Sequence, residues 1–333
     1  MSQRLTSNEQ KALDLFVHTP SETSANFVRF AKEIREFDGI TWGCELDKHI
    51  IPLRPPRVLG LLGRPGHQKT SLGAFIVRKE AIRLVASGLA STKYVAHISW
   101  EQSAEELESL YHTMTGYGVT DVAWGRVDQE SVIIDSIRRP ELPVWIFGES
   151  MFKSDFDTPP MTIDAVYYAI QAIWKERGMT PSALFIDYIQ DIPVPEEKER
   201  YAQVSSAMRK VKRLAIQAKC PIVLGIQANQ RTDDYAHAIP TMRDAEWSSV
   251  IGQKLDTLVA LWKPIRSFLP HDKETIQVGG AEYPNTENLL VVKLLKQRLE
   301  KGYGIWAVDF DPNTMELKDA VRGYGNHYGG YNQ

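Results

Sequence analysis

Val58-Leu59-Gly60-Leu61-Leu62 is a short apolar run that passes directly into Gly63-Arg64-Pro65-Gly66-His67-Gln68-Lys69-Thr70-Ser71, and a helical pattern follows. A buried strand, a tight loop and a helix start, in that order, match the phosphate-loop template G-x-x-x-x-G-K-[ST]. Gly63, Lys69 and Thr70 fit it at the right spacing. In such a loop, backbone N–H groups and the helix N-terminus hold phosphate oxygens. Lys69 is expected to reach the β- and γ-phosphates of a nucleotide, and Thr70 to ligate magnesium, with Ser71 as its substitute. One position departs: Gln68 stands where the second glycine belongs. Glycine there permits a backbone geometry that a side chain resists, and Gly66 does not restore the spacing. Three readings are open. The loop tolerates Gln68 and is active, it binds nucleotide weakly, or it binds none; the strand–loop–helix setting and the Lys69-Thr70 pair weigh against the last.

Outward from this loop, the apolar runs Tyr94–Ser99, Val144–Phe147, Ala183–Ile186, Ile222–Ile226 and Thr257–Leu261 alternate with helical patterns, of which Ile163–Lys175 is the clearest. Buried strands separated by helices predict βαβ units and a mainly parallel sheet flanked by helices. After Pro264 the texture turns to strand and turn. Leu289–Leu295 and Ile305–Phe310 flank Arg298–Gly304 and predict an antiparallel hairpin at the end of the sheet. Three of the strands end in residues that suit phosphate chemistry. Asp187 closes an apolar strand and is placed to hold magnesium directly or through water. Glu101 is placed to polarise a water that attacks the γ-phosphate, or to put charge on the helix beginning at Ser103-Ala104-Glu105-Glu106; position alone does not separate these. Gln227 can donate to a γ-phosphate oxygen and so register which nucleotide is bound, or be an ordinary satisfied strand end.

The chain has 333 residues, 43% hydrophobic and 24% charged, which excludes wholesale disorder and a disulfide scaffold. Its net charge of −3 means that any nucleic-acid contact comes from a local patch. Cys44 and Cys220 are far apart and no CxxC occurs, so neither a zinc site nor a redox motif is expected. Met1–Lys11 carries no apolar stretch and no run approaches the ~18 apolar residues of a membrane span; a soluble intracellular protein with no membrane partner is expected. Near the start, Ser7-Asn8-Glu9-Gln10 reads as a capping box, and Leu13, Phe16 and Val17 form a stripe that Pro20 ends. Phe27, Phe30, Ala31 and Ile34 share one face of a second helix.

In order and spacing, these motifs resemble the RecA-like motor domain of the DnaB-type hexameric replicative helicases, over roughly Phe37 to Asp319. The resemblance rests on Gly39-Ile40-Thr41-Trp42-Gly43, on Gly63-Arg64-Pro65 to Lys69-Thr70, on Ser99-Trp100-Glu101, on Ile186-Asp187-Tyr188-Ile189-Gln190 and on Met208–Ala215. It continues in Ile226-Gln227-Ala228-Asn229-Gln230-Arg231, Met242-Arg243-Asp244, Ile251–Asp256 and Lys296-Gln297-Arg298. It implies an α/β fold with a RecA-like P-loop NTPase core, ATP and Mg2+ as cofactors, and Glu101 as the catalytic glutamate. Gln227 becomes a sensor at the start of a DNA-facing loop. Lys296 and Arg298, which alone read as solvated hairpin charges, become cations that reach a neighbouring subunit's γ-phosphate. Residues 1–36 are then a helical arm or linker, 37–321 the motor and 322–333 a Gly/Tyr-rich tail. With about 36 residues ahead of the motor, a form without the family's N-terminal collar is implied. The expected partners are single-stranded DNA, further copies in a hexameric ring or helical filament, and replication or mobile-element proteins, in the cytoplasm of a bacterial, phage or plasmid system. Arg200, Arg209, Lys210 and Arg231 are candidate DNA contacts. Two alternatives stand beside this: a RecA-like ATPase that assembles on DNA or recruits a partner without unwinding, and a hydrolysis-deficient pseudo-ATPase.

Overall fold

The computed structural model describes residues 6, 7, 10, 11, 17–36, 39–111, 118–152, 159–229, 239–245, 248–268, 271–298 and 302–323. The chain divides into two units, Met1–Gly39 and Ile40–Gln333. In the first, helix α1 spans Pro20–Glu36. Thr19 starts it: its hydroxyl accepts from the Glu22 N–H at 3.3 Å while the Glu22 carboxylate accepts from the Thr19 N–H at 2.7 Å. This is a capping box with proline at the first helical position, where no N–H is needed. Pro20 therefore opens a helix. Asn8 and Glu9 of the capping box expected at Ser7–Gln10, and Leu13 and Phe16, lie outside the described residues.

The second unit is built on a nine-stranded sheet. Its strands are β1 (Val58–Gly63), β2 (Lys93–Ser99), β3 (Val144–Phe147), β4 (Thr180–Asp187), β5 (Ile222–Gln227), β6 (Thr257–Trp262), β9 (Leu289–Gln297), β10 (Gly304–Asp311) and β11 (Glu316–Asp319). The spatial order is β11-β10-β9-β6-β1-β5-β4-β2-β3. β1 to β6 run parallel, and β9, β10 and β11 follow antiparallel. The mainly parallel sheet and C-terminal hairpin expected from the apolar runs are thus present.

The burial pattern explains why the strands read as continuous apolar runs. Leu59, Leu61, Phe185, Val223 and Val259 face one core with Leu72, Ile76 and Leu84 of helix α2 (Lys69–Ala86). Val58, Leu62, Leu184, Ile186, Leu224 and Leu258 face a second core. That core includes Val166 and Ile170 of α6 (Ile163–Arg177) and Met208, Val211 and Leu214 of α7 (Arg200–Ala218). Alternate residues thus serve opposite faces, both covered. The short helices α3 (Ala104–Ser109), α4 (Val119–Ala123) and α5 (Gln129–Arg138) lie between β2 and β3 in the chain, and α8 (Ser248–Lys254) precedes β6. No helix among the described residues is long and apolar enough to cross a membrane.

Two features were not read from the sequence. A separate hairpin, β7 (Thr275–Val278) and β8 (Ala281–Pro284), turns at Gly279-Gly280, both with positive φ (58° and 82°). This is the two-residue turn chemistry of a tight hairpin. Ile276, Val278 and Tyr283 bury it against Trp262, Val291 and Ala307. The second is the approach of α2 to the sheet. Gly73 lies against the Phe185 ring, where a methyl group would stand 2.2 Å from Cζ.

Asp256, directly before β6, ties the start of β1 to α7 and to the end of β9. Its carboxylate accepts from the Val58 N–H at 2.8 Å, pairs with Lys212 of α7, and lies 3.4 Å from the Arg298 guanidinium. Asp256→Ala is expected to lower unfolding stability by about 1.5–3 kcal/mol, the range for hydrogen bonds to charged groups. Urea unfolding against the unsubstituted chain measures it; an unchanged midpoint would show that the ties contribute nothing.

Candidate nucleotide site

The loop after β1 is shaped by two left-handed residues, Gly66 (φ 75°) and Gln68 (φ 65°). The Gly66 conformation is one that glycine adopts freely. Gln68 adopts the backbone that a glycine would supply, at a cost of about 1 kcal/mol. The departure from the template therefore changes the residue and not its left-handed conformation. Gln68 is the residue before the first turn of α2, and its C=O accepts from the Leu72 N–H at 2.9 Å.

Lys69 is buried, and its Nζ donates to the Arg64 carbonyl at 3.0 Å. Burial lowers its pKa, while the Asp187 and Glu101 carboxylates oppose that shift. Thr70 Oγ1 donates to Asp187 Oδ2 at 2.6 Å, joining the start of α2 to the end of β4. The Ser71 side chain makes no such bond among the described residues, so Thr70 is the hydroxyl that meets the carboxylate. Asp187 is 1% exposed. Burial pushes its pKa up to about 6, against the Thr70 hydrogen bond and the Lys69 charge. Among the described residues its Oδ1 has no hydrogen-bond partner. Beside it Gly225 carries no side chain, and a Cβ there would stand 2.8 Å from that oxygen. An orphaned buried carboxylate oxygen next to a threonine hydroxyl is a pair of hard oxygen donors, and these fit Mg2+, which takes few protein oxygens and keeps several waters.

Glu101 follows β2, whose Ser99 is in register with Asp187. The Ser99 hydroxyl accepts from the Glu101 N–H at 3.2 Å. The next helix is capped by Ser103 with Glu106, a complete capping box. Glu101 is not consumed in that cap, and its side chain is exposed. Gln227 ends β5 in register with Gly63. β1, β5, β4 and β2 are consecutive in the sheet, so the loop, Gln227, Asp187 and Glu101 gather along one edge. This is where ligands bind in open parallel sheets.

The segment after β6 adds cations that no strand-ending carboxylate or amide marks in the sequence. The Lys263 N–H donates to His67 Nδ1 at 3.1 Å. Arg266 Nε lies 3.4 Å from where a Cβ of Gly66 would stand. His67 is buried and its pKa falls to about 4, first through burial and then through Arg64, Lys69, Arg266 and Lys263. Five basic side chains around one loop, with the imidazole neutral at pH 7, make a strongly anion-seeking site.

Lys296 and Arg298 stand elsewhere. Gln297 between them pairs with Thr257, which pairs with Leu59, near the beginning of β1. Gly63 is four residues further along β1, ~13 Å at strand rise. The two cations thus occupy the opposite edge of their own sheet. Lys296 Nζ donates to the Gly252 and Gln253 carbonyls at 2.6 and 3.2 Å, and Arg298 to Gln253 at 3.0 Å. Of the candidate DNA contacts, Arg200 and Arg209 are exposed on α7. Lys210 pairs with Asp164 at 2.9 Å and Glu196 at 2.6 Å. Arg231 lies outside the described residues.

A family model described as the DnaB-like helicase C terminal domain matches residues 39–299. The replicative DNA helicase DnaB of Helicobacter pylori (strain ATCC 700392 / 26695) is 25% identical over 236 residues, covering 68% of this chain and 44% of that protein. A probable plasmid replicative DNA helicase of Chlamydia muridarum is 23% identical over 230 residues, covering 67% and 47%. The chain thus spans less than half the length of these curated relatives. Among solved structures, one that consists of an ATPase domain superposes with a TM-score of 0.65 at 18% identity, over 90% of this chain and 98% of that one. A DnaB-like replicative helicase, described with its interactions with primase, gives 0.66 at 18% identity, over 89% and 66%. These neighbours give the fold as RecA-like.

Two substitutions test the site's internal conflicts. Asp187 is held above its unfolded pKa, so the folded chain retains a proton that the unfolded chain loses near pH 4. Ionising Asp187 then weakens folding up to about pH 6, and the loss persists above it. Asp187→Asn is expected to stabilise the metal-free chain at pH 7.5 by up to roughly 3 kcal/mol, read by thermal unfolding. Gln68→Gly is expected to raise stability by up to about 1 kcal/mol and leave nucleotide affinity intact. Weaker nucleotide binding in that variant would show that the glutamine side chain itself contacts the ligand.

Proposed function

The chain belongs to the DnaB-like helicase C-terminal domain family, and from that premise we propose that it is an ATP-driven motor that hydrolyses ATP at subunit interfaces and binds single-stranded DNA. The observation that carries this reading is the placement of the phosphate loop and of Lys296 and Arg298 on opposite edges of one sheet. Neither cation can serve its own loop, so each protomer offers half a site at each edge, the arrangement that a ring or filament of copies completes. A hexameric ring or helical filament follows as the proposed assembly.

In this reading the loop amides and Lys69 hold the β- and γ-phosphates. Thr70 and Asp187 hold Mg2+, which supplies charge neutralisation at the phosphate oxygens. Glu101 accepts the proton of the attacking water as its oxygen approaches the γ-phosphorus and the bond to the β-phosphate oxygen breaks. The Arg298 and Lys296 of a neighbouring copy neutralise charge spreading over the transferred group, an effect worth ~10³–10⁵ in rate in other systems. Lys263 and Arg266 add to the positive field. Gln227 registers the γ-phosphate and passes its state to the segment that follows. DNA is held by its backbone through repeated loops and basic side chains, Arg200, Arg209, Lys210 and Arg231 among the candidates, without reading sequence. The arm of residues 1–36 and the tail of 322–333 flank the motor of 37–321. The proposed setting is the cytoplasm, in bacterial, phage or plasmid replication.

ATP hydrolysis, measured with and without single-stranded DNA and beside strand separation on a forked duplex, tests this. Lys69→Ala is expected to remove nucleotide binding. Glu101→Gln is expected to keep it and slow turnover by about 10²–10⁴-fold. DNA affinity should fall steeply with salt. Nucleotide affinity unchanged in Lys69→Ala would overturn the site.

A further inference from the structure

Gln190 is a buried polar residue with no catalytic assignment. It lies in the turn Ile189–Asp191, three residues after Asp187, and is 2% exposed. Its carboxamide bonds the backbone of Gln227 twice: Nε2 donates to the Gln227 carbonyl at 3.0 Å, and Oε1 accepts from the Gln227 N–H at 3.2 Å. The β4–β5 ladder has ended by then, its last pair being Ile186 with Leu224. A side-chain amide has the same donor and acceptor as a peptide, and Gln190 takes the place of the missing strand beside Gln227. On the other flank, Gln227 is in register with Gly63, and the Ala228 N–H donates to the Gly63 carbonyl at 3.0 Å. The Gln227 backbone is therefore fixed between the first residue of the phosphate loop and the turn that follows Asp187. Its own carboxamide makes no hydrogen bond among the described residues. Directly beyond it, the Asn229 N–H donates to the Asp244 carbonyl at 2.6 Å, and Ala228 bridges Ala245.

We infer that Gln190 is a positioning residue that couples the metal-binding end of β4 to Gln227. The nucleotide and metal state felt at Asp187 reaches the segment after β5 through this amide pairing. The inference rests on the proposed nucleotide site. It is distinct from holding the nucleotide, because among the described residues the Gln190 side chain hydrogen-bonds the backbone of Gln227 and no phosphate-loop residue.

The test is amide hydrogen exchange of the peptide covering Gln227–Asn229, with and without Mg2+ and a non-hydrolysable ATP analogue, beside the analogue's Kd. The chains compared are the unsubstituted protein, Gln190→Leu, which is close in size and removes both bonds, and Gln190→Glu, which keeps the acceptor and removes the donor. The unsubstituted chain should show slower exchange at this peptide when the analogue binds. In Gln190→Leu the Kd should stay within about threefold while that response disappears; in Gln190→Glu the response should shrink at similar affinity. A full response in both variants would overturn the coupling. So would a Kd and a response that weaken together, because that is the signature of general structural damage. An unsubstituted chain with no Lys69-dependent analogue binding would instead sink the proposed nucleotide site, and the coupling with it; the same titration tells the two failures apart.

Discussion

Strand direction is the constraint on which the rest of this molecule depends. Six parallel strands deliver all their C-terminal ends to one edge of the sheet, and four of those ends, on β1, β5, β4 and β2, are neighbours. The phosphate loop, Gln227, Asp187 and Glu101 meet there because the topology allows no other edge. β9 then returns antiparallel beside β6 and carries Lys296 and Arg298 to the far edge. One tie closes each edge. Thr70 with Asp187 holds the loop helix to the sheet at the edge that carries the loop. Asp256 holds Val58, Lys212 and Arg298 at the other.

The two edges differ in how well their polar groups are satisfied. At the Asp256 edge, polar groups are satisfied within the chain, Lys212 and Arg298 by Asp256 and Lys296 by backbone carbonyls. At the loop edge they are not: Asp187 leaves one oxygen bare, Lys69 is buried on a carbonyl, and Gln68 holds a left-handed backbone. Each of these costs stability locally, and the two apolar layers of the sheet offset them. Close packing makes that possible. The Gly73 approach to Phe185 sets α2 directly on β4, and so fixes where Thr70 stands relative to Asp187. A site organised before its ligand arrives does not have to reorganise during the reaction.

Much of this was legible in the sequence. Strands buried on both faces read as unbroken apolar runs, so β1 to β6 and the β9–β10 hairpin stood out, as did the polar residues that end them. What stayed hidden had no apolar run to mark it. The β7–β8 hairpin has four-residue strands, and its Gly-Gly turn was the only signal. Lys263 and Arg266 join the loop through the contact of Lys263 with His67, almost two hundred residues away, which no local pattern carries. Whether Gln68 spoils the loop depended on a dihedral angle, which residue type alone does not give. Lys210 reads as a free cation until its partners Asp164 and Glu196 are folded beside it.

In the proposed function a working site is divided between two copies of this chain. Mixing subunits tests it most directly. Lys69→Ala protomers lack a functional loop and keep Arg298; Arg298→Ala protomers lack the cation and keep the loop. Each alone should hydrolyse ATP poorly in the presence of single-stranded DNA. A divided site predicts that a mixture recovers hydrolysis well above the average of the two, because some interfaces then pair an intact loop with an intact Arg298. A mixture no more active than that average would contradict it.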